Sequence, residues 1–167
     1  ICGPPKMSGG KVIASIAFNS APKNVAEPST PDEAIAELVA GNARYVAKMN
    51  VSHTIDVPRA DLDSTHAPFA AIIRCADARV SPEICFDQQL GRLFVCAVAG
   101  NIVTPDIIAS LEYSVLVLGS KAILVLGHSN CGAVDEAIKN RADTSNLPGS
   151  LPILIDQIIS PCCMTAD

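Results

Sequence analysis

The sequence predicts an α/β protein, a central and mainly parallel β-sheet flanked by helices, and three observations carry that prediction. Short apolar runs at Pro68–Ile73, Leu93–Val98 and Ile123–Leu126 each read as a core strand. Helix starts lie between and after them, with capping chemistry at Ser81-Pro82-Glu83 and Thr104-Pro105-Asp106 and a further helix from about Gly132. Strands alternating with helices at these spacings imply right-handed βαβ units.

Composition bounds the rest. At 167 residues the chain is one domain of ordinary size. Hydrophobic residues make up 49% and charged ones 17%, which suggests a large subunit interface or a chain lacking part of its cover. No apolar run approaches the roughly 20 residues of a bilayer span, so no transmembrane segment is expected. The net charge of −5, without a basic cluster, argues against a nucleic-acid partner. Seven cysteines form an odd count without a disulfide framework's spacing. They favour a reducing soluble compartment, cytoplasm or an organelle such as the chloroplast stroma, with some cysteines in core or metal roles.

Residues 1–28, rich in Gly, Pro, Ser and Ala and beginning at Ile1, read as a flexible N-terminal segment, the remnant of a targeting sequence. Within it only Lys11–Phe18 is apolar enough to pair or pack locally. Residues 29–167 read as a single domain. Thr30-Pro31-Asp32-Glu33 opens an N-terminal helical arm with a capping box. Ile35, Leu38, Val39, Asn42, Tyr45, Val46 and Met49 fall on one stripe, to be laid on this chain's core or on a partner subunit. Residues 50–67 have no period and read as a loop.

The first strand ends at Arg74-Cys75-Ala76-Asp77-Ala78-Arg79, and the helix from Ser81 is expected to run to about Leu90, stopped by Gly91. The second strand ends in a turn at Ala99-Gly100-Asn101. The helix capped by Thr104 should turn Ile107, Ile108, Leu111, Val115 and Leu118 inward and stop at Gly119. The third strand, Ile123–Leu126, reads as buried on both faces. A helix from about Gly132 to Arg141, a Ser-Asn-Leu-Pro-Gly loop and an apolar stretch over Ile153–Ile159 complete the chain. Cys85 and Cys96 read as core hydrophobes.

The chemistry gathers where strands end. His128 and Cys131 stand three apart just past the third strand, at the carboxyl rim where open α/β sheets place ligands. An imidazole nitrogen and a thiolate so placed suit a borderline cation such as Zn2+. Cys75 ends the first strand on the same rim and offers the third ligand. Three protein ligands with one position open describe a catalytic zinc, which lowers the pKa of bound water to about 7. Asp77 is placed either to accept a hydrogen bond there or to take the fourth position. Arg79 is placed to grip the Asp77 carboxylate with two prongs.

Cys75-Ala-Asp77-Ala-Arg79, Ala99-Gly-Asn101 and His128-Ser-Asn-Cys131-Gly, in that order, resemble the zinc-site motifs of the β-class carbonic anhydrases, and the similarity runs from about Asp32 to Ile159. The resemblance implies a β-carbonic-anhydrase-like fold and zinc-dependent reversible hydration of CO2 to bicarbonate. It also implies Zn2+ on Cys75, His128 and Cys131, a switching dyad of Asp77 and Arg79, and a homo-oligomer, dimer or higher. Against the family pattern, Arg74 replaces a small residue, His66 a pocket glutamine and Ala97 an arginine, and the usual C-terminal extension is lacking. Arg74 would lower the thiolate's basicity, block the pocket or point to solvent. Arg74, Ala97 and the expected lack of the C-terminal part motivate an alternative, a weak or inactive subunit docked in a larger protein assembly. A CS2 or COS hydrolase on the same site is another. A zinc nucleobase deaminase is disfavoured, because its His-x-Glu and Pro-Cys-x-x-Cys pattern is absent.

Overall fold

The computed structural model describes residues 27–51 and 67–164. The expectations for Lys11–Phe18, for most of the 50–67 loop and for His66 lie outside the described residues.

Helix α1 spans Pro31–Val46 and starts as its capping box dictates. Thr30 Oγ1 accepts the Glu33 N–H at 3.2 Å, and Glu33 Oε2 accepts the Thr30 and Ser29 N–H groups at 3.2 and 2.7 Å. The helix lies on the core of its own chain, with Ala34 and Leu38 among Phe69, Ile72, Val80 and Phe86. The expected stripe is rotated: Glu37, Gly41 and Arg44 are buried, whereas Val46 and Met49 are exposed. Two features turn the helix that way. Gly41 lets the backbones meet, since a Cβ there would stand 1.5 Å from the Phe86 carbonyl oxygen. Polar partners also wait under Glu37 and Arg44, which therefore go inside.

Three parallel strands form the sheet in the order β2-β1-β3. They are β1, Ala70–Cys75; β2, Leu93–Val98; and β3, Ala122–Leu126. Strand β1 is central and buried on both faces, Ala70 and Ile72 towards α1 and Ala71 and Ile73 towards Cys96 and Leu111. The expectation for β3 is corrected. Ala122, Leu124 and Leu126 cover the α1-side core, but Ile123 and Val125 are 50% and 56% exposed. An apolar run does not reveal whether both faces are covered.

Helix α2 is a single turn, Pro82–Cys85, and stops well short of Leu90. Asp87 ends it by adopting φ 50°, which brings its buried carboxylate to the Arg44 guanidinium and the Val51 N–H. Helix α3, Pro105–Leu116, is capped by Thr104, whose Oγ1 accepts the Ile107 N–H at 3.4 Å. It buries Leu111 and Ser114; Ile108 and Val115, expected inward, are exposed. Helix α4, Gly132–Lys139, ends two residues early, and α5, Leu151–Met164, continues through Pro161. Ala137 of α4 and Ile155 and Ile158 of α5 share a third cluster with Ile102. Cys85 and Cys96 are buried apolar residues, as expected. No helix among the described residues is long and apolar enough to cross a membrane.

Candidate metal centre

Because β1 and β3 are neighbours and parallel, their carboxyl ends open on one rim. Cys75 is the last residue of β1, His128 lies two past the end of β3, and Cys131 is the N-cap residue of α4. One donor atom from each lies within 4.8 Å of the others. The two sulfurs are 3.7 Å apart. A tetrahedral zinc with Zn–S bonds near 2.3 Å sets two sulfurs roughly 3.8 Å apart, so the spacing fits.

The imidazole is aligned for the same purpose. Its Nδ1 lies 3.0 Å from the Ser129 carbonyl oxygen. A carbonyl only accepts, so Nδ1 carries the proton and Nε2 presents its lone pair. Nε2 is buried with no hydrogen-bond partner among the described residues. A buried acceptor facing two thiols, itself without a donor, is what a cation would satisfy. The donor set therefore fits zinc.

Electrostatics around Cys75 favour its thiolate. Burial pushes the thiol up, but hydrogen bonds from the Asp77 and Gly100 N–H groups favour the thiolate, and the balance brings it down to about 7. The Gly100 nitrogen is 3.4 Å from Cys75 Sγ. That contact depends on a left-handed backbone at Gly100, φ 74°, inside the turn Ala99–Asn101. The sequence reads these residues as a strand-ending turn and, by resemblance, as one of the zinc-site motifs, without revealing the bond from Gly100 to the sulfur. The available signal was a glycine placed across from Cys75, whose register partner is Val98.

Asp77 and Arg79 make the two-pronged pair, with Nε to Oδ1 and Nη2 to Oδ2 both at 2.8 Å. Hydrogen bonds from the Arg79 side chain and backbone hold the Asp77 carboxyl well below the usual carboxylate range. Arg79 Nη2 also donates to the Asn130 carbonyl at 3.1 Å, tying the pair to the 128–131 loop. Asp77 Oδ2 stands 3.8 Å from His128 Nε2. In this structure the carboxylate therefore sits on Arg79, beside the three donors. Arg74 is half-buried and turns to the backbone of the rim. Its Nη1 donates to the Cys75 and Asp77 carbonyls at 2.8 and 3.2 Å. Its register partner on β2 is Ala97.

A parallel α/β sheet with two thiols and an imidazole converging at its carboxyl rim defines a class, α/β proteins with a candidate metal centre between strand ends. The family model described as carbonic anhydrase matches residues 70–162, and the chain belongs to that family. It is similar to carbonic anhydrase 2 of Mycobacterium tuberculosis, 43% identical over 125 residues that cover 73% of this chain and 59% of the relative. The chain thus spans about three fifths of that relative's length. Among solved structures it resembles the Coccomyxa β-carbonic anhydrase in complex with acetazolamide. That match has a TM-score of 0.59 at 29% identity and covers 77% of this chain and 57% of the other. A tetrameric β-carbonic anhydrase from Sordaria macrospora matches with a TM-score of 0.53 at 29% identity, covering 71% and 58%.

Proposed function

We propose that Cys75, His128 and Cys131 hold one zinc ion and that the chain takes part in the reversible hydration of CO2 to bicarbonate. The observation that carries the reading is the meeting of the three donor atoms within 4.8 Å at one sheet rim, from residues far apart in sequence. A zinc ion so held would supply Lewis acidity, enough to make water a nucleophile towards CO2 near neutral pH.

The chain's own residues do the rest. The Gly100 and Asp77 N–H groups donate to Cys75 Sγ and spread its charge. The Ser129 carbonyl fixes the His128 tautomer. Asp77, ionised by Arg79 and next to the donors, accepts a hydrogen bond from a reacting water and orients it. Hydration of CO2 yields bicarbonate and one proton, which has to pass to solvent. Zinc analysis of the purified chain should return one ion per chain, and Cys131→Ala less than about a tenth of that. Stopped-flow CO2 hydration no faster in the zinc-loaded chain than in buffer would overturn the catalytic reading; CS2 and COS in the same apparatus test the alternative substrates.

Oligomerisation belongs to the same proposal. Ile123 and Val125 on β3 and Leu116 and Val117 at the C-terminal end of α3 are apolar and exposed. A second reading, a weakly active part of a larger assembly, rests on that same surface. Size-exclusion with light scattering separates the two: an active homo-oligomer supports the first, a zinc-bound chain without turnover the second.

A further inference from the structure

Arg74 does not contact the donor atoms, yet it holds the segment that carries two of the residues described above. It is the fifth residue of β1, half-buried, next to Cys75 and paired in register with Ala97 on one side and Leu126 on the other. Its neighbour on β2 carries only a methyl group. Arg74 Nη1 reaches the Cys75 carbonyl at 2.8 Å and the Asp77 carbonyl at 3.2 Å. Nε is buried without a partner among the described residues, so the guanidinium holds this position at the cost of one unsatisfied donor.

Asp77 is consequently held at three points. Its carboxylate is held by Arg79, its N–H lies on Cys75 Sγ, and its carbonyl accepts from Arg74 and from the Val80 N–H at 3.2 Å. Oδ2, 3.8 Å from His128 Nε2, is close enough that a modest turn of the main chain would carry it onto a cation held by the three donors. The Arg79 bonds resist that movement at the side chain. The Arg74 bond resists it at the backbone, where the charge on the donor strengthens it.

We propose that Arg74 is a positioning residue for the metal centre: by tethering the Cys75 and Asp77 carbonyls it keeps the Asp77 carboxylate on Arg79 and off the metal's fourth position. The inference rests on the zinc reading given above. Its effect is a population shift between two placements of one carboxylate, set by the bonds that only one placement retains.

Cobalt(II) replaces zinc in the chain as a visible probe, and thiocyanate titrates the fourth position through the cobalt absorption bands. Arg74→Met keeps the apolar stem and removes the tether. Cobalt stoichiometry is expected to stay at the parent value while thiocyanate affinity falls about tenfold, the size of one lost charged hydrogen bond. Adding Asp77→Asn to Arg74→Met should restore most of that affinity, which a general loosening of the fold would not do. Arg74→Lys, which retains a cationic donor, should fall between. Should Arg74→Met fail to fold, Arg74→Gln is read in the same titration. A thiocyanate affinity within twofold of the parent in Arg74→Met overturns the proposal, as does a loss that Asp77→Asn leaves unchanged. A parent chain that takes up no cobalt removes the metal reading itself, and this inference falls with it.

Discussion

Among the described residues, two aspartate–arginine pairs have their aspartates before and after α2, and they differ in the respects that decide what such a pair does. Asp87 and Arg44 are 1% and 7% exposed and come from segments 43 residues apart. Asp77 and Arg79 are 21% and 49% exposed and stand two residues apart. The first joins α1 to the turn after α2, and Asn50 and Val51 add further hydrogen bonds to the same carboxylate. Among the described residues the second reaches distant groups only in the 128–131 loop, the Asn130 carbonyl and, at 3.8 Å, His128 Nε2. A pair buried between elements can only hold, because opening it strands a charge away from water. A local pair at the surface can open and close cheaply, because water takes over its partners. The first is a clamp, and under the proposed function the second serves as a gate beside the donor cluster.

The largest expected effect breaks the clamp. Asp87→Ala leaves the Arg44 guanidinium buried and unpaired, and should destabilise the fold by roughly 3–5 kcal/mol. For a chain of this length that lowers the melting temperature on the order of 10 °C. The double replacement Asp87→Leu with Arg44→Met removes both charges and should recover most of the loss, as thermal denaturation of the three chains will show. If the single variant melts within a degree or two of the parent, the contrast between the pairs is wrong. Metal content per folded chain should not change in either variant, since neither residue is among the donors.

Opening the gate should do the reverse. Arg79→Gln leaves the fold intact, with a melting curve overlying the parent's, yet frees the carboxylate next to the donors. Under the proposed function CO2 hydration should drop about a hundredfold, the usual scale for a displaced proton-handling group. The same variant should retain its zinc, which separates lost orientation from lost metal. Equal activity in Arg79→Gln and parent would reduce the pair to a surface ornament of the turn.

The two regions were also unequally legible in the sequence. The rim was readable because its chemistry is local. Cys75, Asp77 and Arg79 sit within five positions, His128 and Cys131 within four, and strand ends bring the two groups together. Strand β2 was readable at both bounds because Gly91 and Ala99-Gly100 punctuate it. The clamp was not readable, because nothing near Asp87 announces an arginine 43 residues upstream. That unseen partner is also why α2 was expected to be longer and why the buried stripe of α1 was expected a fraction of a turn away. The exposed half of β3 escaped for another reason. Ile-Leu-Val-Leu is apolar whether one face is covered or two, so the run carries no information about what lies over Ile123 and Val125. Arg74 was visible as an oddity, but its partners, the Cys75 and Asp77 carbonyls, are backbone groups that no residue type announces.

The smallest effect sharpens the comparison through pH. Arg79 holds the Asp77 carboxyl well below the usual carboxylate range, by side-chain and backbone hydrogen bonds. A carboxyl whose folded value is depressed stabilises the fold above its unfolded value, about 4, and loses that contribution as the pH falls through the folded value. The window therefore lies in strong acid, below the range in which the family's reaction would run. Because the pair is exposed, the contribution to stability is slight, and the titration itself is the better measure. Carboxyl-carbon NMR should show Asp77 ionised and silent from pH 8 down to about 4 in the parent. In Arg79→Gln the same signal should titrate near 4, the ordinary value. Titration of the parent signal at that ordinary value would mean that the two-pronged pair does not persist in solution. The gate would then stand open without any mutation, and the difference between the two pairs would be one of burial alone.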